Sequence, residues 1–397
     1  MHTAPGGGKG KAAVLAHYWF MTRKQSWYAR DARDWTCEAP DAAAAEFHRQ
    51  LPGYAPSPLT DAPGLAAELA VGRLFVKDES ARFDLGAFKF LGASWAGFLA
   101  VARRSGYSGP AGLDGLRAHL AASGGGLALV TATDGNHGRA VARTARLLGI
   151  PARVFVPKAV PGTVIERIGA EGARVTVVDD DYDGTVAAAR TGAAADGGAL
   201  LIQDTAWPGY EEVPAWIVAG YETLFAELDA QLLQAGAPAP ALVAVPVGVG
   251  SLAQAAVAHY RGPALPVAAR PRLLSAEPDA AACVLASLAA GSIVSVPTGT
   301  TVMNGLNCGT PSSLAWPYLR GGMDAAIAVD DTGAGTAIAS LAAAGITAGP
   351  SGAASFAALR AALTGAGAPS RRRDLGLDVP GDPPVVVCLC TEGPLSA

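Results

Sequence analysis

Residues 127–149 read LALVTATDGNHGRAVARTARLLG: an apolar run, a polar turn and a segment of helical periodicity. The turn, residues 131–138, holds two glycines together with acidic, amide and imidazole side chains. In α/β proteins, ligands bind at the loops that follow the carboxyl ends of parallel strands. This stretch therefore predicts an α/β fold with a functional loop at 131–138.

The same alternation of apolar runs and helical segments continues along the chain. Strands are predicted at 127–133, 152–157, 174–178, 200–203, 242–247, 272–276, 325–329 and 385–389. Helices are predicted at 87–102, 137–148, 182–195, 216–235, 252–259, 332–344 and 352–363. Near-continuous apolar strands that alternate with helices indicate a mainly parallel sheet. The Gly/Pro-rich stretches 105–126 and 365–384 are predicted to be surface connections.

Composition limits the class of protein. The chain has 397 residues, which at about 150 residues per domain predicts two or three domains. Half of the residues are hydrophobic and 16% are charged, which excludes a disordered or fibrous chain. The net charge of −4 argues against a nucleic-acid partner, and the basic run Arg371–Arg373 is interpreted as a solvated loop.

A membrane location is also disfavoured. The longest apolar stretch, 241–258, contains a proline and a Gly-x-Gly-Ser core, so we interpret it as strand, loop and helix. The N-terminal residues 1–11 are polar and are expected to be flexible, and no signal-peptide hydrophobic region follows them. Five cysteines do not make a disulfide scaffold. We expect a cytoplasmic enzyme.

Lys89 is the first candidate for chemistry, because it lies in the apolar segment GAFKFLGAS at a predicted helix start. It could be a snorkelling lysine at a helix end. It could equally be a desolvated amine that forms a Schiff base, since burial lowers a lysine pKa. The spacing does not decide between these alternatives.

Three loops after predicted strands carry the other candidates, at 131–138, 248–251 and 391–393. In the first, the N-terminus of the following helix suits a carboxylate or phosphate. Asp134 could simply be an N-cap, and His137 could be a satisfied core histidine. Taken alone, capping is the simpler account.

The glycine loop Gly248, Val249, Gly250 and Ser251 lets the backbone approach an anion in front of a helix. It lacks the third glycine of the dinucleotide motif and the lysine of a P-loop, so the phosphate of a smaller cofactor fits better. Asp204 follows another strand, beside Trp207, and could be a general acid or base or a turn residue.

Other classes of site are not supported. The chain has no HExxH, and Cys388-Leu389-Cys390 is not C-x-x-C, so no metal site is expected. Gly349-Pro350-Ser351-Gly352 lacks the spacing of a nucleophile elbow, which argues against a serine hydrolase.

In this order the motifs resemble the fold-type II pyridoxal-phosphate (PLP) enzymes, the tryptophan-synthase-β/threonine-dehydratase superfamily, and within it the diaminopropionate ammonia-lyases. The resemblance is collinear and starts at FHRQLPGYAPSPL, residues 47–59. It continues through KDESARF at 77–83, AFK at 87–89, residues 131–138, QDTAW at 203–207, EPD at 277–279, GLNCG at 305–309 and TEG at 391–393. A chance agreement over so many ordered motifs is very improbable.

The resemblance implies two open, mainly parallel sheets flanked by helices, in a large domain (1–90 and 205–397) and a smaller inserted domain (91–204). It also implies a homodimer, because relatives are commonly dimers. Lys89 would hold PLP as an internal aldimine, and Asn136 would lie against the cofactor 3-hydroxyl. The phosphate would bind Gly248, Val249, Gly250 and Ser251. Either Cys390 or Thr391 would contact the pyridine nitrogen.

The resemblance further implies the reaction, α,β-elimination of 2,3-diaminopropionate to pyruvate and ammonia through aminoacrylate. The substrate carboxylate would lie against Thr133, Gly135, Asn136 and His137. The dehydratases usually have serine where this chain has Asp134. Lys89 and Asp134 would flank opposite faces of the cofactor, so that Lys89 deprotonates the L enantiomer and Asp134 the D enantiomer. Asp204 would bind the β-amino group or tune Asp134.

The chain departs from the lyases at two amides, Asn304 and Asn307, where the related stretch has alanines. They could hydrogen-bond within their loop or line a pocket for a larger or more polar substrate. Cys283 and Cys308 match two cysteines that can pair in the family, although free thiols are the simpler account. The alternatives to the lyase are a PLP-dependent β-replacement or dehydratase reaction, or a non-catalytic PLP-binding sensor, which an intact Lys89 disfavours.

Overall fold

The structure, a computed structural model, describes residues 25–378 and 383–394. The N-terminal segment expected to be flexible lies outside the described residues. Within the described ranges, no helix is long and apolar enough to cross a membrane.

The larger sheet contains seven strands: β1 (Ser26–Tyr28), β2 (Leu59–Asp61), β3 (Arg73–Asp78), β8 (Leu242–Pro246), β9 (Arg272–Pro278), β10 (Ala325–Val329) and β11 (Val385–Cys390). Their order is β1-β10-β9-β8-β11-β3-β2. The five inner strands run parallel, and the two short edge strands pair antiparallel to their neighbours. The inner strands are mostly buried, which explains their near-continuous apolar sequences.

The smaller sheet contains four strands, β4 (Ala128–Ala132), β5 (Ala152–Pro157), β6 (Arg174–Val178) and β7 (Ala199–Leu201), in the order β6-β5-β4-β7. All of its strand pairs are parallel. The predicted fold class, two open and mainly parallel sheets with helices, is therefore confirmed.

The helices connect these strands. They are α1 (Ala43–Arg49), α2 (Pro63–Leu69), α3 (Lys89–Ser105), α4 (Leu113–Ala122), α5 (Asn136–Leu148), α6 (Gly162–Ala170), α7 (Tyr182–Ala194), α8 (Glu212–Gln234), α9 (Ser251–Tyr260), α10 (Cys283–Ala290), α11 (Trp316–Gly322), α12 (Asp331–Ala343), α13 (Pro350–Leu363) and α14 (Ala368–Asp374).

Both predicted surface connections were wrong in part, because each contains a helix. In the first, α4 buries Leu116 and Leu120, which lie four residues apart on one face of the helix. Two apolar positions in a glycine-rich stretch are too few to predict a helix. In the second, α14 contains the basic run Arg371–Arg373, so the interpretation of this run as a loop is wrong. Arg371 of this run donates to the carbonyls of Ala362 and Thr364, and it thereby caps the C-terminal end of α13.

Helix α3, which begins at Lys89, packs closely against α8 at two glycines. A Cβ atom on Gly92 would lie 2.7 Å from the side chains of Ile217 and Tyr221. A Cβ atom on Gly220 would lie 2.4 Å from the carbonyl oxygen of Leu91. These two glycines therefore allow a close helix contact that fixes the position of the Lys89 end of α3.

A buried ionic cluster lies just before Lys89 in the sequence. Arg82 donates to Glu79 at 2.7 Å and to Glu227 of α8 at 2.6 Å. Lys77 of β3 donates to the same Glu227 oxygen at 2.8 Å. The side chains of Arg82 and Glu79 are almost completely buried. The cluster ties β3 and the following turn to α8, and thereby anchors the segment that leads to Lys89.

Arg82→Ala is expected to lower the free energy of unfolding by about 3–5 kcal/mol, because it leaves buried carboxylates without their partner. Arg103→Ala is the matched control, since its ion pair with Glu212 is exposed on both sides and is expected to contribute about 0–1 kcal/mol. Urea denaturation of both variants measures the difference. A loss below 1 kcal/mol for Arg82→Ala would contradict the anchoring role.

Candidate functional site

Lys89 is the first residue of α3, and its Nζ donates to Oδ2 of Asp204 at 2.6 Å. Burial by itself would lower the pKa of Lys89, but the adjacent Asp204 carboxylate outweighs it and raises the pKa above the ordinary value. The expectation that burial frees the neutral amine is therefore wrong for this arrangement. The snorkelling alternative does not describe it either, because the amine is held inside the site by an ion pair.

Asp204 follows β7 and faces Lys89 with a carboxylate that stays ionised. Burial would raise its pKa, but His137 and Lys89 lower it below the ordinary range. Oδ2 lies 3.8 Å from Nδ1 of His137, and the Asp204 carbonyl accepts a hydrogen bond of 3.0 Å from the Ser251 hydroxyl. Asp204 thus connects Lys89, the 131–138 loop and the glycine loop.

The turn at 131–138 is capped by Thr133, and the N-cap role considered for Asp134 is wrong. The Thr133 hydroxyl accepts from the backbone N–H groups of Gly135 at 2.9 Å and Gly138 at 3.0 Å. Helix α5 starts at Asn136, and Gly135 is its N-cap residue. The Asp134 side chain is therefore not used to hold the helix.

Asp134 is exposed to solvent, but the protein groups around it partly desolvate its carboxyl. This desolvation raises the pKa of its carboxyl, the charge of Lys89 lowers it, and the charge of Asp204 raises it further. A carboxyl with a raised pKa, open to the site and close enough to Lys89 and Asp204 for their charges to act on it, is suited to proton transfer.

His137 is buried, and its Nε2 donates to the carbonyl of Ile202 at 2.8 Å. Burial lowers the pKa of the imidazole, which favours the neutral form. Nδ1 has no hydrogen-bond partner among the described residues. The core-histidine alternative therefore accounts for one ring nitrogen and leaves the other facing Asp204.

Asn136 donates from Nδ2 to Oε2 of Glu392 at 2.6 Å. Glu392 is the second residue after β11, and its Oε1 accepts from the backbone N–H of Ser351 at 3.2 Å. Glu392 belongs to the TEG motif at 391–393, and the motif alone gave it no role. Its position, an acid two residues after a buried strand, was the signal that could have singled it out.

The glycine loop follows β8 and precedes α9. Gly250 has φ +102°, and a Cβ atom there would lie 2.7 Å from Leu319, so only glycine fits. A Cβ atom on Gly248 would lie 3.0 Å from Sγ of Cys308. With Val249 and Ser251, these glycines present bare backbone at the N-terminus of a ten-residue helix, a donor set that fits the phosphate of PLP.

The two amides that depart from the lyases lie on the Met303–Gly309 loop. Asn307 donates from Nδ2 to the Gly299 carbonyl at 3.0 Å, as the loop-bonding alternative predicts. Its Oδ1 is buried without a partner among the described residues, and Asn304 is exposed. Gly305, between them, would bring a Cβ atom within 3.2 Å of the Ser351 hydroxyl.

At the end of β11, Cys388 and Cys390 face the same side, towards α13. The Cys388 thiol lies 3.0 Å from the Ser355 hydroxyl, and Sγ of Cys390 lies 3.2 Å from where a Cβ atom on Gly352 would be. Thr391 is buried, and its carbonyl accepts from the N–H of Phe88. Cys283 and Cys308 are free thiols in the structure.

Comparison with known proteins identifies the family of the chain. A family model for pyridoxal-phosphate dependent enzymes matches residues 50–372. Diaminopropionate ammonia-lyase from Salmonella typhimurium is 36% identical over 323 residues, which cover 80% of this chain and 79% of that protein.

Solved structures of the Escherichia coli diaminopropionate ammonia-lyase share the fold over 94% of both chains. The complex with an aminoacrylate-PLP azomethine intermediate has a TM-score of 0.79 at 30% identity. The complex with D-serine has a TM-score of 0.82 at 31% identity. The chain belongs to the pyridoxal-phosphate dependent enzymes, in the group of the diaminopropionate ammonia-lyases.

Proposed function

We propose that the protein catalyses the PLP-dependent α,β-elimination of 2,3-diaminopropionate. One ammonia leaves from the β-carbon, and the released 2-aminoacrylate takes up water to give pyruvate and a second ammonia. The observation that carries the proposal is the pair of carboxyls beside Lys89: Asp204 at 2.6 Å, and Asp134 within electrostatic range. A dehydratase has less use for a second acid there, whereas an amine leaves well only when it is protonated.

The cofactor supplies an electron sink for the charge that develops at Cα. Lys89 would hold it covalently. The backbone of Gly248, Val249, Gly250 and Ser251 would bind the phosphate, and Asn136 the 3-hydroxyl. We assign the ring nitrogen to Thr391 rather than Cys390, because the Cys390 side chain is turned into the apolar layer against α13.

The chain's own groups would move the protons. Lys89 would remove the Cα proton of the L enantiomer, and Asp134 that of the D enantiomer from the other face. Asp204, held ionised, would attract the β-ammonium group of the substrate. The substrate carboxylate would lie at Thr133, Gly135, Asn136 and His137, at the positive N-terminal end of α5.

A second candidate is β-replacement or dehydration of a related β-substituted amino acid. The unpartnered Oδ1 of Asn307 and the exposed Asn304 favour it, because they add polar groups where the lyases have alanines. These two amides would then contact a larger substrate.

The test is pyruvate release from L- and D-2,3-diaminopropionate, with L-serine in parallel. Rapid release from both diaminopropionates is the expected result. PLP-loaded protein that releases no pyruvate from any of the three would move the assignment to β-replacement.

We also propose a cytoplasmic homodimer, with the smaller domain at 91–204 and the larger domain formed by 1–90 and 205–397. The resemblance supports the dimer. The four-stranded sheet, built entirely from residues 128–201, supports the domain division. Sedimentation velocity measures the oligomeric state.

A further inference from the structure

Glu392 is held in place by its own backbone. Its carbonyl accepts from the N–H of Gly349, and its backbone pairs with Ala87, two residues before Lys89. The next residue, Gly393, donates to the carbonyl of Gly86. The Glu392 side chain therefore starts from a fixed point between the Lys89 segment and the N-terminal end of α13.

The carboxyl of Glu392 is buried and has no ion-pair partner among the described residues. Its two oxygens accept from two different donors, Nδ2 of Asn136 at 2.6 Å and the backbone N–H of Ser351 at 3.2 Å. Burial raises the pKa of this carboxyl, and the donors from Ser351 and Asn136 oppose that shift. The Ser351 side chain lies beside the carboxyl and also lowers its pKa.

A bond to Glu392 decides which way the Asn136 amide points. An amide has an oxygen on one side and two N–H groups on the other, and rotation by 180° exchanges them. With one N–H held by a buried carboxylate, the second N–H keeps a single direction. Such a fixed donor is what a phenolic oxygen of a bound cofactor requires.

We propose that Glu392 is a positioning residue that acts through Asn136 to set the affinity and the absorption spectrum of bound PLP. This inference rests on the proposed contact between Asn136 and the cofactor 3-hydroxyl. It reaches beyond that contact because Glu392 lies after a strand of the seven-stranded sheet, whereas Asn136 starts the helix after β4 of the four-stranded sheet. Cofactor binding would therefore depend on a hydrogen bond that joins the two sheet units.

The experiment is a double-mutant cycle with Glu392→Leu and Asn136→Ala, read out without substrate. PLP is titrated into each apo protein to obtain its Kd, and the visible spectrum of each saturated protein is recorded. Glu392→Leu is expected to weaken PLP binding about tenfold, the effect of losing a charge-assisted hydrogen bond, and to change the ratio of the PLP absorption bands. In the Asn136→Ala background, Glu392→Leu is expected to change the Kd less than about twofold.

Two further variants separate positioning from a general structural effect. Glu392→Gln keeps one acceptor oxygen and is expected to recover most of the affinity. Ser351→Ala leaves the backbone donor and the Asn136 bond in place and is expected to keep the wild-type spectrum. Urea midpoints verify that each variant folds, and Glu392→Ala, which also removes both acceptor oxygens, replaces Glu392→Leu in the cycle if the leucine variant does not fold.

An equal loss of PLP affinity with and without Asn136 would overturn the inference, because Glu392 would then act only on the fold. An unchanged spectrum in Glu392→Leu would overturn it as well. The proposed function is tested separately. If the effects of Glu392→Leu and Asn136→Ala on the Kd of PLP are coupled but no pyruvate is released, only the lyase assignment fails. If pyruvate is released but the two effects are additive, only this inference fails.

Discussion

Lys89→Ala is expected to release no measurable pyruvate from either enantiomer of diaminopropionate, a loss of at least about 10⁴-fold. The variant removes both the amine that would hold PLP covalently and the base proposed for the L enantiomer. It also removes the Lys89 charge, which lowers the pKa of Asp204. Pyruvate formation from each enantiomer, followed with a coupled dehydrogenase, measures the loss.

Lys158→Ala is the matched control for Lys89→Ala. Lys158 also pairs with an aspartate, Asp179, at 2.9 Å, but both side chains are exposed. Its removal is expected to leave turnover and PLP binding unchanged. The Lys89 variant should still bind PLP non-covalently through the glycine loop. Substantial turnover by Lys89→Ala would show that another group holds the cofactor.

The strands that the sequence predicted best are short segments rich in valine, isoleucine and alanine. The predicted bounds of β5, β6 and β10 agree with the structure at every residue. In contrast, β3 was missed although it is an inner strand of the larger sheet. Its sequence, RLFVKD, ends in charges, and the buried Lys77 amine donates to the Ser57 carbonyl and to Glu227 and Gln231 of a helix about 150 residues later. No local sequence pattern indicates hydrogen-bond partners that are so distant in the chain.

The candidate site shows the same limit. Loop positions after strands could be predicted, because the topology of a parallel sheet brings them to one edge. The bonds between the loops could not, since the contact from Asn136 to Glu392 spans 256 positions of the chain. The raised pKa of Lys89 likewise depends on Asp204, 115 positions away, and reverses what burial alone would give.

Asp134→Asn is expected to depress turnover of D-diaminopropionate by about 10²–10⁴-fold and that of the L enantiomer far less. The amide keeps the size of the side chain but cannot accept the Cα proton. Because the Asp134 side chain does not cap α5, the change leaves the loop intact. The ratio of kcat/KM for the two enantiomers, measured in one preparation, gives the result directly.

Asp204→Asn is the control variant with which the enantiomer ratio of Asp134→Asn is compared. Asp204 accepts from the Lys89 amine at 2.6 Å and faces His137. Its neutralisation therefore acts on Lys89, which would hold PLP in the reactions of both enantiomers. We therefore expect Asp204→Asn to reduce turnover of both enantiomers to a similar extent. If Asp134→Asn also reduced both equally, the two carboxyls would share one role, and the assignment of Lys89 and Asp134 to opposite faces of the cofactor would fail.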